Sequence, residues 1–250
     1  MAQRYCTQHQ VHYYEGNTKG QMTLAMLINV ALLVAGQQND QLGVGATEVQ
    51  RHGVGWVVTQ YEMAIQRMPK VGETVTFGTV ATAYNKFFCY RDLWVETLDG
   101  QRLVTIHSMW VMMDYQTRKM RAIIPEIIAP YEAEQIKGVL SRPRIAHVAP
   151  DKASAAQPYR VRYFDIDRNQ HVNNSHYFDW MLDHLGYDFL SQHDIVHVVI
   201  RYEREVQYGN VPTSQYQKVA TDDALITRHV IMNQDQRCAE AEIHWQPHEG

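Results

Sequence analysis

The heptapeptide Trp56-Val57-Val58-Thr59-Gln60-Tyr61-Glu62 returns 141 residues later as His197-Val198-Val199-Ile200-Arg201-Tyr202-Glu203, with four of seven positions identical. A second set of matches runs in the same order at a spacing of 150, pairing Tyr13 with Tyr163, Leu32 with Leu182 and Gly36 with Gly186. One match is within reach of chance, but two in the same order favour an internal duplication. The fold question therefore becomes what a single unit is.

Each unit reads as a helix followed by strands. Thr18 to Asn39 has Leu24, Leu27, Ile28, Ala31 and Ala35 at i, i+3, i+4 spacing, with Thr18 as the expected cap. Met26, Val30 and Leu33 are also apolar, so the helix must be wrapped nearly all round. Trp56–Ile65, Thr74–Tyr84, Phe87–Thr97 and Arg102–Met113 are rich in β-branched and aromatic residues and read as strands, with Asp99-Gly100 as a hairpin turn. Five of the eight prolines fall between Ile124 and Pro158 and mark a linker. Beyond it the order repeats: a strand at Tyr159–Phe164, a helix over about Asn174–Leu185, then strands near Val196–Gln207, Ser214–Thr221, Ala224–Met232 and Arg237–Trp245. The expected architecture is α+β, with an N-terminal unit over 1–125, a linker over 126–158 and a C-terminal unit over 159–250.

Whole-chain quantities exclude several classes. A length of 250 residues, 45% apolar and 20% charged, is that of an ordinary globular protein. A net charge of -4 and a pI near 6.3 argue against a nucleic-acid binder. Three scattered cysteines without a Cys-x-x-Cys pair fit a reducing compartment. No targeting segment and no membrane-length apolar run stand out, which leads us to expect a cytoplasmic protein.

The chemistry concentrates in Tyr163–Trp180, YFDIDRNQHVNNSHYFDW. Asp167, Asn169 and His171 converge on the start of a helix, whose free N–H groups can stabilise an oxyanion, and Asn173 or Asn174 is a natural N-cap. Asp165-x-Asp167-x-Asn169 imitates the start of an EF-hand loop, but Gln170 stands where the sharp turn wants Gly and His176 where a bidentate Glu belongs. His171 and His176 also miss the i, i+4 spacing of a helical metal pair, so we expect no metal and no cofactor. The duplication separates frame from chemistry, because the first half carries Asn17, Lys19 and Gln21 at the corresponding positions, and Ala64 opposite Glu205.

These residues resemble the plant-type fatty acyl-ACP thioesterases, in a short, bacterial-like form. Beyond Asp-x-Asn-x-His-Val-Asn-Asn, the similar landmarks are Trp56-Val57-Val58, Arg91-Asp92, Ser108 to Met113 with Thr117-Arg118, and Tyr202 to Glu205. The resemblance implies a tandem (double) hotdog, each half a long helix wrapped by a curved antiparallel sheet. It implies catalytic roles for Asp167, Asn169, His171 and, on the next strand, Glu205. It also implies an acyl tunnel lined by Leu24, Leu27, Ile28 and Ala31, with Asn173 and Asn174 binding substrate. Where plant members have Cys after the acidic residue, this chain has Val206, so a papain-like thiol mechanism has no nucleophile. The expected activity is hydrolysis of acyl-acyl carrier protein to free fatty acid. An acyl-CoA thioesterase and a non-catalytic acyl-binding protein stand as alternatives. Whether a carboxylate acts as base or attacks directly through a mixed anhydride is left open. An acidic carrier protein would meet a basic patch, with Arg118, Lys119 and Arg121 as candidates. We expect no nucleic-acid partner and no membrane insertion, and a homodimer is allowed.

Overall fold

The computed structural model describes residues 2–220 and 225–248. The N-terminal half comprises β1 (Arg4–Gln10), α1 (Leu24–Gln41), α2 (Ala46–Arg51), β2 (Val54–Ile65), β3 (Thr74–Tyr84), β4 (Phe88–Thr97), β5 (Arg102–Asp114) and the two-residue β6 (Met120–Arg121). α3 (Pro125–Ile128) and the short β7 (Glu134–Gln135) and β8 (Gln157–Pro158) occupy the connection. The C-terminal half follows with α4 (His176–Asp183), α5 (Tyr187–Gln192), β9 (His193–Tyr202), β10 (Thr213–Ala220), β11 (Leu225–Asn233) and β12 (Gln236–Pro247).

The main strands form one sheet in the order β1-β3-β4-β5-β2-β9-β12-β11-β10-β8. Every neighbour along that path is antiparallel. The two copies of the repeated heptapeptide meet at the centre, where β2 pairs β9 with Gln60 opposite Arg201 and Ala64 opposite His197. Register shifts at Val58/Gln60, Ala81/Ala83 and His244/Trp245 are bulges of the kind that bend a sheet. α1 lies against β3, β1 and β4, and α4 against β10 and β11; the two helices also touch each other. One core runs through both halves, holding Leu27, Ile28, Tyr61 and Met63 together with Phe178, Met181, Val198 and Ile200.

Several element bounds differ from the sequence expectation for physical reasons. α1 starts at Leu24, not near Thr18, because residues 16–22 form a loop and Thr23 is the cap, its Oγ1 accepting from the Met26 N–H at 3.2 Å. The expected strand at Tyr159–Phe164 is absent; Tyr163–Asp165 is a single 3-10 turn closed by the Asp165 carboxylate. The second helix is not long: Gly186, at φ +86, divides it into α4 and α5. The connection begins later than expected, because Ile127, Ile128 and Tyr131 are buried with Val44, Val49 and Val54 in a second N-terminal core. β10 and β11 match the expected strands, apart from Thr221 and Ala224, which lie outside the described residues. Among the described residues, no helix is long and apolar enough to cross a membrane.

Candidate active site

Residues 163–174 fold as a tight loop built almost entirely from local hydrogen bonds. The buried Asp165 carboxylate accepts from the Arg162 N–H at 2.7 Å and from its guanidinium at 2.6 Å. Burial opposes ionisation of Asp165, but the Arg162 hydrogen bonds and His176 outweigh it and hold the carboxyl below its usual range. The Asp167 N–H donates to the His171 carbonyl at 2.8 Å, and Asp167 Oδ1 accepts from the Asn169 N–H at 2.7 Å. Gln170 takes φ +67 between them.

Two further bonds aim the loop. The Val172 N–H donates to the Val206 carbonyl at 2.9 Å, fastening the His171 segment to the segment that carries Glu205. The Asn173 N–H donates to the Asp165 carbonyl at 2.9 Å, and Asn173 Oδ1 accepts from the Ser175 N–H at the entry to α4. His171 Nε2 consequently stands 3.0 Å from Glu205 Oε2. β9 ends at Tyr202, so Glu205 is in the loop after the strand rather than on it.

Arg118 completes the cluster from the other half of the chain. It follows β5 in a turn held by Asp114, whose Oδ1 accepts from the N–H groups of Gln116 and Thr117 and whose carbonyl accepts from the Arg118 N–H. Arg118 has φ +55, and its Nη2 contacts both Glu205 Oε1 and, at 2.7 Å, His171 Nε2. Burial raises the Glu205 pKa, but His171 and then Arg118 overcome it, and the carboxyl sits below its ordinary value. The sequence suggests carrier contact for Arg118, Lys119 and Arg121 alike. The structure puts Arg118 in the cluster and leaves Lys119 exposed, while Arg121 is tied to the His52 carbonyl and Asp114.

These groups line a cavity of about 550 Å³. Asp167, Asn169, His171, Asn173, Asn174 and Glu205 share its wall with Trp56, Val58, Trp110, Tyr177 and Tyr202. Asn174 is fixed between the halves, its Nδ2 donating to Tyr61 OH at 3.1 Å and its carbonyl accepting from Tyr202 OH at 3.0 Å. A second cavity of about 200 Å³ shares Leu32, Trp56 and Trp110 with the first and adds Ala35, Gly36, Asn39, Cys89, Arg91 and Tyr131. Its polar end is Arg91, which donates to Gln38 and Thr79 at 2.6 and 2.8 Å; burial pulls its pKa down.

The expected tunnel residues of α1 are not on these walls. Leu27, Ile28 and Ala31 are packed in the core, and Leu24 faces a different cavity beside Lys19. The wall is the neighbouring stripe Leu32, Ala35, Gly36 and Asn39, one or two turns further along the helix. The helix is greasy on both stripes, so periodicity alone does not separate them. Trp56 and Trp110 carry a signal in sequence, both lying in the runs that bear the family resemblance.

The fold is one shared with solved thioesterases. The whole chain superposes on a Lactobacillus plantarum protein assigned as an oleoyl thioesterase, with TM-score 0.96, 45% identity and coverage of 100% of this chain and 98% of that one. It also superposes on the 12:0-ACP thioesterase of Umbellularia californica with TM-score 0.87 at 21% identity, covering 98% of this chain and 94% of that one, which speaks to the fold alone. Residues 2–131 match the acyl-ACP thioesterase N-terminal domain and residues 148–247 its C-terminal domain, and the chain belongs to the acyl-ACP thioesterase family. An acyl-[acyl-carrier-protein] hydrolase of Cuphea viscosissima is 30% identical over 178 residues, 68% of this chain and 43% of its own. A palmitoyl-acyl carrier protein thioesterase of Gossypium hirsutum is 31% identical over 170 residues, 65% of this chain and 41% of its own. The chain thus spans about two fifths of the length of these curated relatives.

Proposed function

We propose that the protein hydrolyses acyl-acyl carrier protein thioesters to free fatty acid, ending elongation of the chain. The observation that carries this reading is the His171–Glu205 pair at 3.0 Å on the wall of a largely apolar cavity. A thiol ionises at about pH 8.5, so its thiolate leaves without much help, whereas water needs a base and the tetrahedral oxyanion needs donors. Glu205 Oε1 takes the water proton while His171 Nε2–H holds Oε2. The water oxygen adds to the thioester carbon, the C–S bond breaks, and the proton passes from Glu205 to the departing sulfur. The side-chain amides of Asn173 and Asn174 supply donors to the oxyanion, and Asn169 holds the water. Asp167 keeps the loop closed through its Oδ1 contact and contributes charge to the wall.

The tandem hotdog reading is supported by two helix-on-sheet halves joined at β2 and β9 and by the recurring loop bonds at a spacing of 150. On this reading the N-terminal half shapes the acyl tunnel and the C-terminal half carries the chemistry. Arg118 reaches the site from the N-terminal half of the same chain, so the cluster does not require a second copy. Three free cysteines support a reducing, cytoplasm-like location.

The test is hydrolysis of acyl-acyl carrier proteins and acyl-CoAs of graded length by the wild type, His171→Ala and Glu205→Ala. Release of free acid from the carrier should fall about 10²- to 10⁴-fold in each variant. Unchanged rates in both would remove the proposed site, and activity confined to acyl-CoA would move the protein to the CoA class. Single turnover in ¹⁸O water should leave Glu205 and Asp167 unlabelled; label in either carboxylate would establish the anhydride route instead.

A further inference from the structure

His171 Nε2 has two neighbours that one nitrogen cannot serve at once. Toward Glu205 Oε2, at 3.0 Å, it has to carry a proton and donate. Toward Arg118 Nη2, at 2.7 Å, it has to be bare and accept. Arg118 also donates to Glu205 Oε1, the oxygen that the proposed reaction needs for water. The arrangement is therefore a resting one, in which the guanidinium stands where water would be activated.

The mouth of the same cavity carries a second arginine. Arg204 lines it, is exposed, and has no ion pair among the described residues. Arg118 is itself partly exposed and stands on a turn braced by Asp114, so its side chain can swing while its backbone stays put. Two guanidiniums at a cavity mouth, one unpaired and one held by a single carboxylate, match a phosphate group, whose anionic oxygens accept forked hydrogen bonds from both. A phosphopantetheine arm carries such a phosphate at the end opposite its thioester, as a diester on a carrier protein and as a monoester when free.

We propose that Arg118 is a substrate-released latch: it closes over His171 and Glu205 until the phosphate of the phosphopantetheine arm, gripped with Arg204, draws its guanidinium away. The latch rests on the thioesterase reading above and deepens it by naming what the site recognises besides the acyl chain. Its release has two effects. Glu205 Oε1 becomes free for water, and Glu205 loses one of the contributions that depress its pKa, which makes it a stronger base. Arg118 acts through Glu205 and His171, so it is a positioning residue.

The experiment compares one acyl chain on pantetheine and on 4′-phosphopantetheine, with the wild type, Arg118→Ala, Arg118→Gly and Arg204→Ala. Glycine suits the positive φ at 118 and guards against a folding defect. The wild type should turn over the phosphate-free thioester with a kcat about tenfold or more below that of the phosphorylated one, the factor a charge-assisted hydrogen bond carries. Both Arg118 variants should abolish that kcat difference by raising the phosphate-free rate, with an increased KM for the phosphorylated substrate. Arg204→Ala should raise KM for the phosphorylated substrate alone. Inorganic phosphate added to the wild type should accelerate the phosphate-free substrate beyond a chloride control of equal ionic strength. Equal kcat on both substrates in the wild type, or slower turnover of both in the Arg118 variants, would overturn the latch while leaving the thioesterase reading intact. Failure of the wild type to hydrolyse either thioester or the acyl-carrier substrate would overturn both.

Discussion

Residues 12–23 and 162–173 are the same loop written twice. In each, a buried carboxylate accepts the backbone N–H three residues before it at 2.7 Å, Glu15 from His12 and Asp165 from Arg162. In each, an N–H donates to the carbonyl four residues on at 2.8 Å, Asn17 to Gln21 and Asp167 to His171. The side chains of Asn17 and Asp167 both accept from the N–H two residues later, at 2.9 and 2.7 Å. Even the positive φ recurs, +69 at Gly20 and +67 at Gln170. The frame is thus indifferent to chemistry, and what differs is the direction in which the free side chains are spent. Lys19, the twin of Asn169, is bonded to Asp194 and the His193 carbonyl at 2.8 and 2.6 Å and tethers the halves. Gln21, the twin of His171, meets no carboxylate corresponding to Glu205 among the described residues. Met22 donates to the Pro69 carbonyl as Val172 does to Val206, so the position facing Glu205 is the buried Met68, not Ala64.

The comparison breaks most severely at the residues that have no twin. Glu205→Met, which copies the first half, should lower kcat by about 10²- to 10⁴-fold and leave the far-UV circular dichroism unchanged. Loss of secondary structure instead would mean that Glu205 holds the fold. Asp167→Asn is a sharper probe, because the amide oxygen can keep the turn as Asn17 does. The melting temperature should stay within about 2 °C, since one preserved hydrogen bond leaves little stability to lose. The rate should fall about tenfold, if the charge matters beyond the turn. An unchanged rate would make Asp167 a loop former only.

A third outcome concerns pH. The Glu205 carboxyl is depressed, mainly because His171 and Arg118 overcome its burial. Its ionised form is therefore present at and above the ordinary carboxylate pKa of about 4.3, and the stability it contributes is lost as pH falls through the lower folded value. Arg118→Ala removes one of those contributions, so the acidic limb of kcat/KM should move to higher pH. A pH–rate profile that does not shift, or shifts down, would show that Arg118 does not act on the base.

Much of this is legible in the sequence because it is repeated. The spacing of 141 locates β2 and β9, and the alternation of β-branched and aromatic residues gives β3 at its observed bounds of Thr74–Tyr84. Asp167, Asn169, His171 and Glu205 all reach one cavity because the 163–174 loop and the loop after β9 converge on it. Three features are hidden for identifiable reasons. Arg118 stands out in sequence as a basic residue but not as a member of the cluster, because it lies 53 residues from His171 and 87 from Glu205 and its reach depends on a left-handed turn that Asp114 imposes. The cavity face of α1 is masked by apolar residues on two adjacent stripes, so Leu32 and Ala35 cannot be told from Leu27 and Ile28 by periodicity. The start of α1 is ambiguous because Thr18 and Thr23 are both good caps, and it takes tertiary bonds, from Met22 to the Pro69 carbonyl and from Val71 to the Gly20 carbonyl, to hold the chain as a loop between them.

The smallest expected effect tests whether the two loops share strain as well as shape. A non-glycine residue in the left-handed region costs about 1 kcal/mol, because Cβ crowds the following carbonyl. Gly20 avoids that cost and Gln170 bears it. A Cβ at position 20 would meet nothing within 4 Å, so Gly20→Ala changes backbone preference without a clash. It should destabilise the protein by about 1 kcal/mol, and Gln170→Gly should stabilise it by somewhat less, since glycine also gains freedom in the unfolded chain. Urea unfolding of the two single variants and the double variant measures this directly. Because the loops belong to different halves, the two effects should add within about 0.5 kcal/mol. If Gln170→Gly destabilises instead, the glutamine side chain supplies a contact that offsets its backbone. The twin loops would then differ in energy as well as in chemistry.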